Sequence, residues 1–103
     1  MGEREYLLYY SDKARKRHYH KTHMGQVSQF IVQLEVKVEN QWEPVVRYDC
    51  AHDFSHRDRY NWKGEQLKEH LNLPYAEALT LADEDIDEHW EIYMFEFLKG
   101  VYP

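Results

Sequence analysis

The side chains best suited to chemistry lie close together near the middle of the chain. They are Arg47, Tyr48, Asp49, Cys50, His52, His56, Arg57 and Asp58. Histidine titrates near neutral pH and serves as a general base or acid, while arginine stabilises negative charge on a phosphate. We therefore predict acid–base cleavage of a phosphodiester, with His52 and His56 as base and acid. Arg47 or Arg57 would hold the phosphate, and Asp58 completes the predicted catalytic set.

The same stretch has two other interpretations. Zinc or iron would use its thiol, imidazole and carboxylate groups, Cys50 and Asp58 among them, but their spacing matches no known ligand signature. No metal and no cofactor is therefore predicted. Alternatively, the two histidines hydrogen-bond Asp49 and Asp58 in a buried polar network that holds the strands together.

Two runs of alternating apolar and polar residues lead into this stretch. They span residues 27–39 and 42–50. A period of two residues is typical of a half-buried strand, so the runs predict a β-hairpin. Residues 54–62 and 66–71 predict two further strands of an antiparallel meander. A bulge near residues 51–53 would turn His52 toward His56.

The apolar faces of the hairpin predict its register. A three-residue loop at residues 39–41 pairs Val38 with Trp42 and keeps apolar residues opposite one another. Pro44 has no N–H to donate, so its side of the strand should be an edge or a bulge.

The apolar period changes from two to between three and four after Pro74. The stripe consists of Tyr75, Leu79, Ala82, Ile86, Trp90, Tyr93 and Phe97, widened by Ala78, His89 and Met94. This spacing predicts one helix over residues 75–98, which packs on the sheet face made by Phe30, Leu34, Val36 and Val46. The predicted fold class is α+β: an antiparallel β-meander of about four strands against one long C-terminal α-helix.

The N-terminal segment, residues 1–25, is predicted to be separate from a single α+β domain at residues 26–103. Residues 5–10 fit an edge strand or one helical turn, and residues 11–23 lack an apolar period and predict a mobile basic arm. The predicted nucleic-acid-binding residues of the arm are Arg15, Lys16, Arg17 and Tyr19. His18, His20 and His23 are alternatives as ligands of a transition metal.

Charge is distributed unevenly along the chain, whose net charge is −6. Residues 1–23 carry six Lys or Arg against three acidic residues, whereas residues 75–103 carry one against eight. The basic arm and the acidic helix are therefore expected to pair with each other, to form a homodimer, or to bind a protein partner.

The composition indicates a soluble protein of the cytoplasm. One cysteine excludes an intramolecular disulfide and favours a reducing compartment. No stretch approaches the roughly 20 apolar residues of a membrane span, so no membrane association is expected.

Several short motifs resemble known families. The pattern Arg-Tyr-Asp-x-Ala-His-x-x-x-His-x-Asp, which starts at Arg47, and the surrounding residues 26–98 resemble an uncharacterised family of small prokaryotic proteins. Residues 47–52 are also similar to the TumE-like toxins of toxin–antitoxin pairs. The second resemblance implies action on RNA, as a nuclease or a binder.

Two functional hypotheses follow from the sequence. The first is a toxin-type protein that acts on RNA through the histidine and arginine cluster. The second is a non-enzymatic protein–protein interaction module, self-associating or with another partner, in which the histidines are structural.

Overall fold

A computed structural model describes residues 2–103 and shows one antiparallel sheet with a C-terminal helix packed on it. The elements are β1 (Gly2–Ser11), β2 (Ala14–His23), β3 (Gln26–Val38), β4 (Gln41–Asp49), a 3₁₀ turn (Ala51–Asp53), β5 (His56–Tyr60), β6 (Gln66–His70) and α1 (Tyr75–Lys99). Strand order in the sheet follows chain order, so the sheet is a meander. The predicted α+β class is confirmed, with six strands in place of about four.

The two additional strands come from the N-terminal segment. The expectation of a mobile arm is wrong for residues 14–23, which pair along their length with β1 and β3. Both N-terminal strands belong to the same sheet as the strands after residue 26. The buried residues of β2 include Lys16 and His18 beside Ala14. A strand that buries a lysine and a histidine shows no apolar period, which is why the sequence did not reveal it.

The β3–β4 hairpin departs from the predicted register near its turn. Val38 pairs with Gln41 across a two-residue turn, in which Glu39 and Asn40 have φ values of 51° and 66°. A bulge then leaves Val45 without a partner between the pairs formed by its two neighbours.

Beyond this bulge the predicted register holds. Leu34 pairs with Val46 and Val32 with Tyr48. Pro44 lies next to the bulge, as its missing N–H predicts.

Helix α1 matches its predicted bounds closely. It begins after Pro74 and ends at Lys99, just before Gly100. Gly100 has a φ of 68°, the left-handed conformation that glycine favours, and its N–H donates a hydrogen bond to the carbonyl of Glu96. Its buried residues are Ala78, Ala82, Ile86, Tyr93 and Phe97. They pack against the predicted sheet residues, including Phe30, Leu34, Val36 and Val46. His89 is exposed and does not belong to the core.

The helix packs on one face of the sheet, which we call the inner face, and the opposite face is the outer face. The helix lies over β2, β3 and β4, and side chains of β1 and β5 also reach it. By strand order, β1 is one edge of the sheet and β6 the other. None of the helices described within residues 2–103 combines the length and apolar character that a membrane span requires.

Candidate functional site

The predicted catalytic cluster is divided between the two faces of the sheet by the 3₁₀ turn. His52 and Asp53 in this turn both have a φ of 67°. The turn changes the alternation of side chains, so that Asp49 and His56 become cross-strand partners while Arg57 reaches the inner face. Because a shift of one residue moves a strand's side chains to the opposite face, His56 lies on the face opposite Tyr48, whereas an uninterrupted strand would place both on the same face.

The two predicted catalytic histidines differ in environment. His52 is exposed and lines a cavity of about 330 Å³ together with Asp49, Cys50 and Tyr75. The side chain of His56 is only 2% exposed. The two histidines therefore differ in access to solvent, and their role as an acid–base pair stays a prediction.

His56 lies between two carboxylates on the outer face. Its Nε2 contacts Oδ1 of Asp49, and its Nδ1 lies 3.6 Å from Oδ1 of Asp58. Neither contact has hydrogen-bond geometry, and the Phe54 ring packs against the imidazole with 5.3 Å between centroids. The burial and the carboxylate neighbours expected of the structural alternative are therefore present at His56, but the hydrogen bonds are not, and His52 is exposed.

Arg47 belongs to a second outer-face network, centred on Glu35. Its Nε donates to Gln33, and the Gln33 amide donates to Glu35 at 2.7 Å. Glu35 also accepts from Nε of Arg15 at 2.6 Å and from Nε of Arg17 at 3.1 Å. Burial raises the pKa of Glu35, but these hydrogen bonds outweigh it and hold the pKa below its usual value. Glu35 thus pairs with Arg15 and Arg17, two of the residues predicted to bind nucleic acid.

Arg57 joins β5 to the helix through a cluster around Asp85. Oδ2 of Asp85 accepts hydrogen bonds from Tyr48 at 2.6 Å and from Tyr93 at 2.5 Å. Arg57 donates to both tyrosine hydroxyls and, at 2.6 Å, to Glu69. Burial and the bonds to Asp85 raise the pKa of both tyrosines, so they remain donors near neutral pH. This geometry connects β4, β5, β6 and α1.

The basic strand β2 pairs with the acidic helix inside the protein, as the charge distribution led us to expect. Nζ of Lys16 lies 3.0 Å from Asp83 and 2.8 Å from Asp87. Tyr10 of β1 also donates to Asp87. Tyr19, on the outer face, donates to Glu3 at 2.6 Å. All four residues predicted to bind nucleic acid therefore have a partner within the protein.

Sequence reasoning missed a chain of hydrogen bonds on the inner face of β2. His18 contacts Oδ1 of Asp83 through Nδ1 at 3.0 Å and Nδ1 of His20 through Nε2 at 2.7 Å. Arg4 and Tyr6 of β1 lie opposite His20 and His18. Burial lowers the pKa of His20, and His18 and Arg4 lower it further. The signal in the sequence was the two-residue spacing of Lys16, His18 and His20, which places them on one face of a strand.

The free edge of β1 carries exposed apolar residues. Leu7, Leu8 and Tyr9 are 41%, 42% and 56% exposed. The partner strand β2 lies on one side of β1, and no strand within residues 2–103 lies on the other.

Within residues 2–103, the His, Cys, Asp and Glu side chains form no group of three or more that could hold a metal ion.

Comparisons with known proteins identify the family of this chain. None of the curated proteins and none of the solved structures matches the chain significantly. A family model described as "Domain of unknown function (DUF7718)" matches residues 1–102. The match includes the N-terminal strands as well as residues 26–98, and the chain therefore belongs to this uncharacterised family.

Proposed function

We propose that this protein is an interaction module that binds a partner by adding a strand to the edge of β1. The observation that carries the proposal is the free side of this ten-residue strand, with its apolar run from Tyr6 to Tyr10. An unpaired edge presents N–H and C=O groups that a second extended chain can satisfy. Exposed runs of three or more apolar residues are unfavourable unless they serve binding.

The opposite edge of the sheet lacks these properties. Strand β6 has only five residues and carries Lys68 and Glu69. Short, charged edge strands are a common means by which proteins prevent unwanted pairing. Only the β1 edge is therefore suited to strand addition.

The inner-face contacts of β1 hold the edge in an extended form before a partner arrives. Tyr6 stacks on His18 with 4.6 Å between ring centroids, and Tyr10 stacks on Trp90 at 5.2 Å. A strand that is ordered in advance loses less conformational entropy on binding. In this proposal the buried histidines are structural, in agreement with the burial of His18 and His56.

Substitution of Leu8 by lysine is expected to abolish strand addition. A charge on the inner side of an edge strand opposes pairing, and the leucine contacts are lost as well. The probe is a set of capped ten-residue peptides with alternating apolar residues, titrated against the ¹⁵N-labelled protein. We expect shifts of the β1 amide signals, and binding at least tenfold weaker for Leu8→Lys.

The matched control is Leu67→Lys, because Leu67 lies on the other edge strand and is 40% exposed. It should bind the peptides as the unmodified protein does. Peptides N-methylated at alternate residues, which cannot form the ladder, should not bind. If no peptide shifts the β1 amides at millimolar concentration, the proposed function is wrong.

Action on RNA is a second candidate, and the chain Asp83–His18–His20 beside Arg4 is the observation that favours it. A neutral His20 is able to accept a proton from a ribose hydroxyl, while Arg4 would hold the adjacent phosphate. This arrangement would support the toxin-type hypothesis with residues other than His52 and His56. The pairing of Arg15 and Arg17 with Glu35 and the net charge of −6 weigh against it.

Incubation with total RNA tests this candidate. If it is correct, His20→Gln should slow cleavage by about 100-fold, the usual range for loss of a general base. His70→Gln, a histidine exposed on β6, should leave the rate unchanged. If no variant cleaves RNA and none shows salt-dependent binding, RNA is not the target.

A further inference from the structure

We infer that the strand added to the β1 edge is β1 of a second copy of this chain, antiparallel to the first and centred on Leu8. This inference rests on the proposed function and names its partner. Two six-stranded sheets would then form one continuous sheet around a two-fold axis perpendicular to it. Such an isologous contact uses the same surface patch on both copies.

The two-fold axis limits the possible registers. It keeps the inner face of one copy continuous with the inner face of the other, so paired residues must share a face. The centre of the pairing is therefore a single residue opposite itself, which allows five centres within the apolar run. Centres at Tyr9 or Tyr10 would place the turn at residues 12–13 opposite the run, which leaves Tyr6, Leu7 and Leu8. A shift of one residue would place apolar side chains on opposite faces.

The apolar pattern selects Leu8. This centre pairs Tyr6 with Tyr10 and Leu7 with Tyr9, so every member of the run meets an apolar partner. Cross-strand pairs of aromatic and aliphatic side chains are the contacts that stabilise sheets most.

The other two centres bring charged residues opposite the apolar run. A centre at Leu7 places Glu5 opposite Tyr9 and Arg4 opposite Tyr10. A centre at Tyr6 places Glu5 opposite Leu7 and Arg4 opposite Leu8. Both leave part of the apolar run without an apolar partner.

The symmetry of the apolar run favours a second copy over an unrelated strand. In the Leu8 register each residue from Tyr6 to Tyr10 meets a member of the same run, so the patch is complementary to itself. The pairing does not extend beyond Ser11, because a bulge after Tyr9 and the turn at residues 12–13 end the strand there.

The inner-face aromatic contacts would continue across the new contact. Tyr10 already stacks on Trp90, and Tyr6 already stacks on His18. In the Leu8 register, Tyr10 of one copy lies beside Tyr6 of the other, which joins the two stacks.

The acidic helices do not oppose the assembly. Each α1 lies over β2, β3 and β4 of its own copy, so both β1 strands separate the two helices. With strands about 4.8 Å apart, the helices are about 15 Å or more from each other, beyond the screening length of roughly 8 Å at physiological salt.

Cysteine cross-linking tests the partner and the register together. Opposite Cα atoms of an antiparallel pair lie about 4.5–5.5 Å apart, within the range that a disulfide spans. Under mild oxidation, Leu8→Cys should therefore form a covalent dimer. Leu7→Cys, equally exposed, should not, because its symmetry mate is displaced by two residues along the strand. The unmodified chain is the control, since its single Cys50 is buried.

Sedimentation of the unmodified chain completes the test. We expect a concentration-dependent dimer that Leu8→Lys converts to a monomer and Leu67→Lys does not. Preferred cross-linking of Leu7→Cys would overturn the Leu8 register. A monomer at concentrations up to about 1 mM, together with no selective cross-linking, would overturn the second copy as partner. Peptide binding at β1 in that case would leave the proposed function intact, whereas its absence would reject both.

Discussion

The Ile86→Ala variant is expected to lose about 2–5 kcal/mol of unfolding free energy, the usual cost of removing a buried isoleucine side chain. Ile86 is fully buried at the centre of the helix stripe that packs on the sheet. The loss has two parts: less apolar surface is removed from water, and a cavity remains between helix and sheet. Urea unfolding, followed by circular dichroism, measures the change.

Ile92 provides the matched control on the same helix. It is 55% exposed, so Ile92→Ala should change the unfolding free energy by no more than about 0.5 kcal/mol. Equal losses for the two variants would mean that α1 does not pack through its Ile86 side. The described core would then be incorrect.

The second large effect is expected for Glu35. Glu35→Ala removes the shared acceptor of Arg15, Arg17 and Gln33 and leaves the Arg15 side chain, 12% exposed, without its carboxylate. Breaking a buried ion pair by removing one partner typically costs about 3–5 kcal/mol. Because Arg17 is 42% exposed and regains water, we expect a value near the lower end. Glu84→Ala, at an exposed helix position, is the control and should stay within about 0.5 kcal/mol.

The pH dependence of stability supplies an independent measurement at Glu35. The folded-state pKa of Glu35 lies below the unfolded value of about 4.5. The stabilisation is therefore fully present above pH 4.5 and is lost as the pH falls through the folded pKa. Glu35→Gln should show a weaker decrease in unfolding free energy below pH 4.5 than the unmodified protein. Parallel pH profiles would show that the hydrogen bonds to Glu35 do not lower its pKa.

Helix α1 and the sheet face beneath it could be predicted from the sequence almost completely. The expected helix at residues 75–98 differs from the observed Tyr75–Lys99 by one residue. The predicted core residues of the sheet, such as Phe30 and Leu34, are buried. These features depend on the spacing of apolar residues within one segment, which the sequence displays directly.

Strand β2 and the turn at residues 51–53 could not be predicted in the same way. β2 buries Lys16 and His18 because acidic side chains of α1, more than sixty residues later, pair with the lysine and contact the histidine. The turn exchanges the faces of the residues that follow it because His52 and Asp53 adopt positive φ values. Both outcomes depend on contacts or local geometry that apolar periodicity does not report.

By itself, therefore, the sequence determined the α+β class, the β3–β4 hairpin, the helix and the presence of opposite charges at the two ends of the chain. Only the tertiary structure decided which of those charges pair with each other. It also decided that His56 is buried and that His20 lies opposite Arg4. It also decided that β1, with its exposed leucines, is a free edge. The physical reason is that apolar periodicity acts within a segment, whereas ion pairing, burial of polar groups and edge exposure depend on residues far apart in the chain.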